Sequence, residues 1–219
     1  MSAHLHREIE RLKKSLLSLC AIVEDQVQIA VRALLDRDEE LARAVRVRDA
    51  EIDQREVEVE EECLKVLALH QPVAVDLRFI VAALKINNDL ERIGDLAVNI
   101  SKKAKRFAAL PPMQIPFDLE GMCAKTQAML RDSLDALVNL DPELARQVCK
   151  RDDEVDAIKR SFRKSAEQRI RQNPGQIEFL LTLLAVSRNL ERVADHATNI
   201  AEDVIYMVDG KIIRHAEAQ

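Results

Sequence analysis

Glycine and proline are scarce here, at 4 and 6 of 219 residues. So little turn-forming material argues against a strand-rich fold and for long elements. Tryptophan is absent and aromatics make up only 3%. The core must therefore be Leu, Ile, Val and Ala, which suits closely packed helices. No apolar run approaches the roughly 18 residues needed to span a bilayer. The start, Met1 to Glu8, shows no apolar signal core, so the chain is expected in the cytoplasm. Cys20, Cys63, Cys123 and Cys149 show no C-x-x-C spacing and read as buried free thiols. There is no basic surplus. A net charge of −5 speaks against nucleic acid as a partner and weakly favours cations. No Gly-rich phosphate loop, nucleophile elbow or H-E-x-x-H occurs, and no catalytic residue is assigned. Nor is there a Glu-x-x-His pair of the kind a carboxylate-bridged di-iron oxidase places in a bundle core.

What the chain does have is a duplication. Leu90-Glu91-Arg92-Ile93-Gly94-Asp95-Leu96-Ala97-Val98-Asn99-Ile100 returns as Leu190-Glu191-Arg192-Val193-Ala194-Asp195-His196-Ala197-Thr198-Asn199-Ile200, offset by 100 residues. Upstream, Arg48-Asp49-Ala50-Glu51-Ile52-Asp53 recurs as Arg151-Asp152-Asp153-Glu154-Val155-Asp156, offset by 103. The repeating unit is longer than the periods of solenoid repeats. Breaks are few: Asp36-Arg37-Asp38, His70-Gln71-Pro72, the proline-rich stretch 109–116, Leu140-Asp141-Pro142 and Asn173-Pro174-Gly175. They predict three long helices on each side of the linker, the first over about residues 4–36. Short loops make neighbouring helices antiparallel. The expected fold is therefore all-α, two tandem antiparallel three-helix bundles over 1–108 and 117–219, joined by a linker at 109–116. Apolar periodicity agrees. Phe79, Ala82, Ile86, Leu90, Ile93, Ala97 and Ile100 share one helix face, as do Phe179, Val186, Leu190, Val193, Ala197, Ile200 and Val204.

Opposite those stripes lie acids. With Ile93 at the centre of the buried face, Glu91, Asp95 and Asn99 line the other side, and Glu191, Asp195 and Asn199 repeat the line. Asp49 with Asp53, and Asp152 with Asp156, flank the apolar stripes of the second and fifth helices. Like charges at i and i+4 destabilise a helix by a few tenths of a kcal/mol. Four such pairs suggest compensation by a cation. Hard cations such as magnesium take several carboxylate oxygens, and iron and manganese accept them in helical bundles. The plainer reading is a solvated face whose acids pair with Arg48, Arg92, Arg151 and Arg192. His196 follows Asp195 directly, points elsewhere around the helix and reads as a packed or capping histidine.

At these residues the chain closely resembles the PhoU family, the phosphate-signalling accessory proteins of bacteria, over essentially its whole length. Gln71-Pro72-Val73-Ala74-Val75-Asp76-Leu77-Arg78 resembles the segment leading into the family's third helix. The two Leu-Glu-Arg stretches resemble its signatures, the second running on to Asp203. Gly210-Lys211-Ile212-Ile213-Arg214-His215 resembles its usual ending. The resemblance implies the same two bundles, and metal clusters held on their surface by E(D)-x-x-x-D motifs. Here those motifs are Asp49 with Asp53, Glu91 with Asp95, Asp152 with Asp156, and Glu191 with Asp195. Iron, zinc, manganese or magnesium is the expected ion. Asp76-Leu77-Arg78 has no counterpart at Gln176-Ile177-Glu178, so the first half is expected to carry a contact the second lacks. The implied role is negative regulation of the phosphate-starvation response, by an adaptor without catalytic activity. It would join the ATPase subunit of a high-affinity phosphate transporter to a membrane sensor histidine kinase. The membrane would be met only through partners, and a homodimer is expected. The alternatives are a metal-binding bundle or metal-dependent enzyme, and a purely structural helical partner.

Overall fold

Six helices account for nearly all of the chain, as a computed structural model that describes residues 3–210 except Pro112 shows. They are α1 (Ala3–Leu35), α2 (Glu39–His70), α3 (Ala74–Ala109), α4 (Leu119–Asn139), α5 (Pro142–Gln172) and α6 (Ile177–Asp209), with a 3-10 turn at Pro174–Gln176. No strand occurs among the described residues. The stretch 211–215, part of the family resemblance, lies outside them.

The breaks act as their chemistry dictates. Asp38 Oδ1 accepts from the Glu40 and Leu41 amides at 2.8 and 3.0 Å and starts α2. Asp141 does the same for α5 through Glu143 and Leu144, with Pro142 in the first turn, where its missing N–H costs nothing. Gln71 and Leu140 end α2 and α4 in the left-handed region, at φ 43° and 49°. Gly210 ends α6 at φ 69°, a conformation glycine adopts without strain.

Burial follows the duplication. Ala42, Val45, Ile52, Val59 and Cys63 of α2 are matched 103 residues later by Ala145, Val148, Val155, Phe162 and Ala166, all buried. In α1 the buried Leu16, Leu19, Cys20, Val23, Gln26 and Val27 are matched by Leu119, Met122, Cys123, Thr126, Met129 and Leu130 of α4. Every residue of the two long stripes is buried except Phe79, which is partly covered. No disulfide forms. Cys20, Cys63 and Cys123 are buried and Cys149 is half-buried.

Each half is a three-helix bundle. The two pack together chiefly along α3 and α6, helped by α1 against α4. The α3–α6 pairing is antiparallel: Lys85 meets Asp203, Asp89 meets His196, and the Phe107 and Phe179 rings stack 5.4 Å apart. A single apolar cluster therefore runs through both halves. The contact expected of the first half alone is made by Arg78, whose guanidinium lies against Gly210 at the carbonyl end of α6, where the helix dipole favours a cation.

Candidate metal centres on the paired helices

In the first half α2 contributes Asp49 and Asp53, and α3 contributes Glu91 and Asp95. Ile52 and Ile93 are fully buried. Their burial places the acids at the outer edge of the α2–α3 seam. Asp49 and Glu91 are half-covered there, while Asp53 and Asp95 are exposed. The two pairs face one another. Burial pushes the Asp49 carboxyl above its ordinary range, Gln26 opposes this, and Asp53 and Asp95 add repulsion. Burial likewise holds Glu91 high, against Arg92, with Asp95, Asp53 and Asp49 all adding to it. The second half repeats the arrangement. Asp152 is raised by burial, then by Asp156, Asp153 and Glu191, with the Thr198 hydroxyl opposing. Asp195 is pushed up to about 6 by burial and by Glu191, Asp152 and Asp156, with Lys159 opposing.

Of the arginines the plainer reading names, two turn away from these faces and one stays. Arg48 reaches Asp25 of α1 at 2.5 Å, and Arg151 reaches Asp132 of α4 at 2.6 Å. Arg92 stays, 3.3 Å from Glu91 and 3.9 Å from Asp95. The 3.3 Å approach lacks hydrogen-bond geometry, so the buried Glu91 Oε2 has no hydrogen-bond partner. Gln26 is fully buried and donates to Asp49 Oδ1 at 3.2 Å, while its own Oε1 is also without a partner. Orphaned acceptors are costly unless something supplies a positive charge or a donor. An all-oxygen donor set with two unsatisfied acceptors fits a hard cation. As placed, no group of three or more acids among the described residues closes on one point to hold an ion.

Three participants escaped sequence reasoning. Glu56 joins the first face, raised by burial and by Glu60, Glu91 and Asp53. Lys159 hydrogen-bonds Glu191, and Arg160 meets Asp156 at 2.9 Å in the second. The signal was available, because the 103-residue register sets Glu56 opposite Lys159. Asn199, one turn along the line from Asp195, serves another contact. It donates to the buried Asp89 at 3.1 Å, beside His196, whose Nδ1 lies 2.7 Å from the same oxygen.

Both halves of the chain are similar to known proteins. The family model described as PhoU domain matches residues 16–104 and again 119–204. The phosphate-specific transport system accessory protein PhoU homolog of Pseudomonas aeruginosa is 36% identical over 216 residues, 98% of this chain and 89% of that one. The homolog from Caulobacter vibrioides is 39% identical over 210 residues, covering 95% and 88%. Among solved structures, PhoU from Pseudomonas aeruginosa superposes with a TM-score of 0.90 at 36% identity, over 94% of this chain and 99% of that one. The phosphate transport system regulatory protein PhoU from Streptococcus pneumoniae gives 0.83 at 28% identity, over 95% and 98%.

Proposed function

The chain belongs to the PhoU family, and on that premise we propose that it is an accessory and regulatory protein of phosphate transport. The observation that carries this reading is the near-full-length match in both halves at once. In finer terms, it is a cytoplasmic adaptor that acts by binding, without turnover. It couples the ATPase subunit of a phosphate transporter to a sensor histidine kinase and holds the starvation response off when phosphate is plentiful. No described helix is long and apolar enough to cross a membrane, which suits attachment through partners. Val73, Val75 and Leu77, with Leu69, are exposed apolar side chains gathered at the α2–α3 turn, a surface suited to a protein partner or a second copy.

The carboxylate faces serve as cation sites in this reading. Asp49, Asp53, Glu91 and Asp95 would hold an iron, zinc, manganese or magnesium ion in the first half, once the exposed Asp53 and Asp95 turn inward. Asp152, Asp156, Glu191 and Asp195 are their counterparts in the second. A bound cation would relieve the mutual repulsion and tie the second helix of a half to its third.

Deletion of the gene tests the regulatory role. Phosphatase expression that stays high at high phosphate supports it, and expression that is still repressed refutes it. Co-purification of the tagged chain with the transporter ATPase and the kinase tests the adaptor role, and failure to retain either refutes it.

A further inference from the structure

We propose that the two carboxylate faces are unequal toward cations: the first half takes the ion, and in the second the Lys159 ammonium stands in its place. This rests on the reading that the acids hold a cation at all.

The inequality comes from residues in equivalent positions. Along α2 and α5 the 103-residue register pairs Glu56 with Lys159, Val57 with Arg160 and Glu60 with Arg163. One stretch of the second helix thus changes sign between the halves, and the change falls at the acids. Lys159 hydrogen-bonds Glu191, whose side chain is only 14% exposed. Arg160 pairs with Asp156 at 2.9 Å. Two of the four acids of the second set are therefore held by cations of the chain itself. Arg163 turns instead to Glu167, at 3.2 Å. Asp153, at the position of Ala50, returns one negative charge, but it is exposed on the solvent side.

In the first half the one cation beside the acids, Arg92, makes no hydrogen bond to them, and the second helix supplies none. Glu56 adds an acid where Lys159 supplies an ammonium, and Asn87 holds it by donating to its carbonyl and carboxylate at 2.9 and 3.2 Å. Glu91 Oε2, equivalent to the Glu191 carboxylate that Lys159 engages, is buried without a hydrogen bond. Behind the acids, the fully buried Gln26 amide is aimed at Asp49 with its oxygen unpartnered, whereas the register sets Met129 at its place in α4. An apolar thioether presents no hard donor. A divalent ion entering the second face would displace the ammonium or sit beside it, at short range between like charges. The first face has a looser competitor: Arg92 stands 3.3 Å from Glu91 and 3.9 Å from Asp95 without hydrogen-bonding either, and half of its own side chain is exposed.

Manganese(II) uptake by the full chain, stripped with EDTA and dialysed, tests this by elemental analysis and calorimetry. The double variant Asp53→Asn with Asp95→Asn should lose at least tenfold in uptake. Asp156→Asn with Asp195→Asn should keep the wild-type amount. Lys159→Glu should raise uptake by up to about twofold. Equal losses in the two double variants overturn the inequality, and unchanged uptake by Lys159→Glu overturns the role of Lys159. A wild-type chain that takes up no manganese, zinc or iron overturns the cation reading beneath both, whether or not partners still bind. Because a variant can fail to fold, the wild type supplies an independent measure. Paramagnetic broadening by substoichiometric manganese should fall on amides around Asp49 and Glu91. Equal broadening around Asp152 and Glu191 overturns the proposal.

Discussion

Asp195 shows how a carboxylate in these faces reports on its own charge. With its carboxyl at about 6 instead of 3.8, it keeps a proton in the folded chain between those values while the unfolded chain releases it. The stability this group contributes is fully present below the unfolded value and is lost as pH rises through about 6. A shift of that size would be worth about 3 kcal/mol unscreened, and surface exposure reduces it to about 1 kcal/mol. In EDTA, Asp195→Asn should therefore match wild type near pH 4 and exceed it by about 1 kcal/mol at pH 8. A difference in urea midpoint that does not change with pH would contradict this. Packing beneath the acids gives a second prediction. A Cβ on Gly94 would lie 3.2 Å from Ile52 Cδ1. The equivalent pair in the second half is Ala194 and Val155, with one methyl group moved from the second helix to the third. Gly94→Ala gains about 1 kcal/mol of helix propensity, but crowding of Ile52 offsets it. Ile52→Val alone costs about 1 kcal/mol. The double variant should be more stable than the sum of the single effects by about 1 kcal/mol. An additive cycle would show that the two sites do not share this space.

At the scale of the helix, α5 is the element most dependent on its ends. Its buried face consists of Ala145, Val148, Val155, Phe162 and Ala166, two of them alanines, so packing supplies less than in α3 or α6. The Asp141 cap then matters more. Asp141→Ala should cost about 1 kcal/mol, with faster amide exchange at Glu143 and Leu144 than in α4. Unchanged exchange there would mean the cap is redundant. These helices were legible in the sequence because their stop signals are few and chemically distinct, as Asp38, Gln71, Asp141 and Pro142 show. The repeat offset was legible too, and its change from 103 to 100 has a structural cause. The chain between the acids of α5 and those of α6 is three residues shorter than between α2 and α3, and the residues equivalent to Ala74, Val75 and Asp76 form the 3-10 turn Pro174–Gln176, so α6 starts later than α3. That is why Asp76-Leu77-Arg78 has no partner motif. The acid pairs were legible as spacing, but their facing across α2–α3 was not, because periodicity fixes which side a residue takes and says nothing of the helix it meets.

The whole molecule turns on that same gap between side and neighbour. The stripes on α3 and α6 read as the cores of two separate bundles, yet the chain packs them into one apolar cluster by laying α3 against α6. Polar residues buried at this seam carried no hydrophobic signal. Asp89 meets His196 and Asn199, and Asp203 meets Lys85 at 3.2 Å. Nothing in their local sequence separates them from surface acids until the partner helix is in place. A continuous core makes the halves thermodynamically dependent on one another, since neither can open without exposing the face that covers its neighbour. Phe179 tests this. Its ring is buried against Phe107, which in turn lies under the Arg37 guanidinium, 4.2 Å from the ring centre. Phe179→Ala removes a contact shared by both halves and should cost about 3–5 kcal/mol. The loss should appear as one cooperative transition in urea, with exchange protection falling in α1 as much as in α5. If α5 and α6 lose protection while α1 and α2 keep theirs, the halves fold independently and the shared core does not couple them.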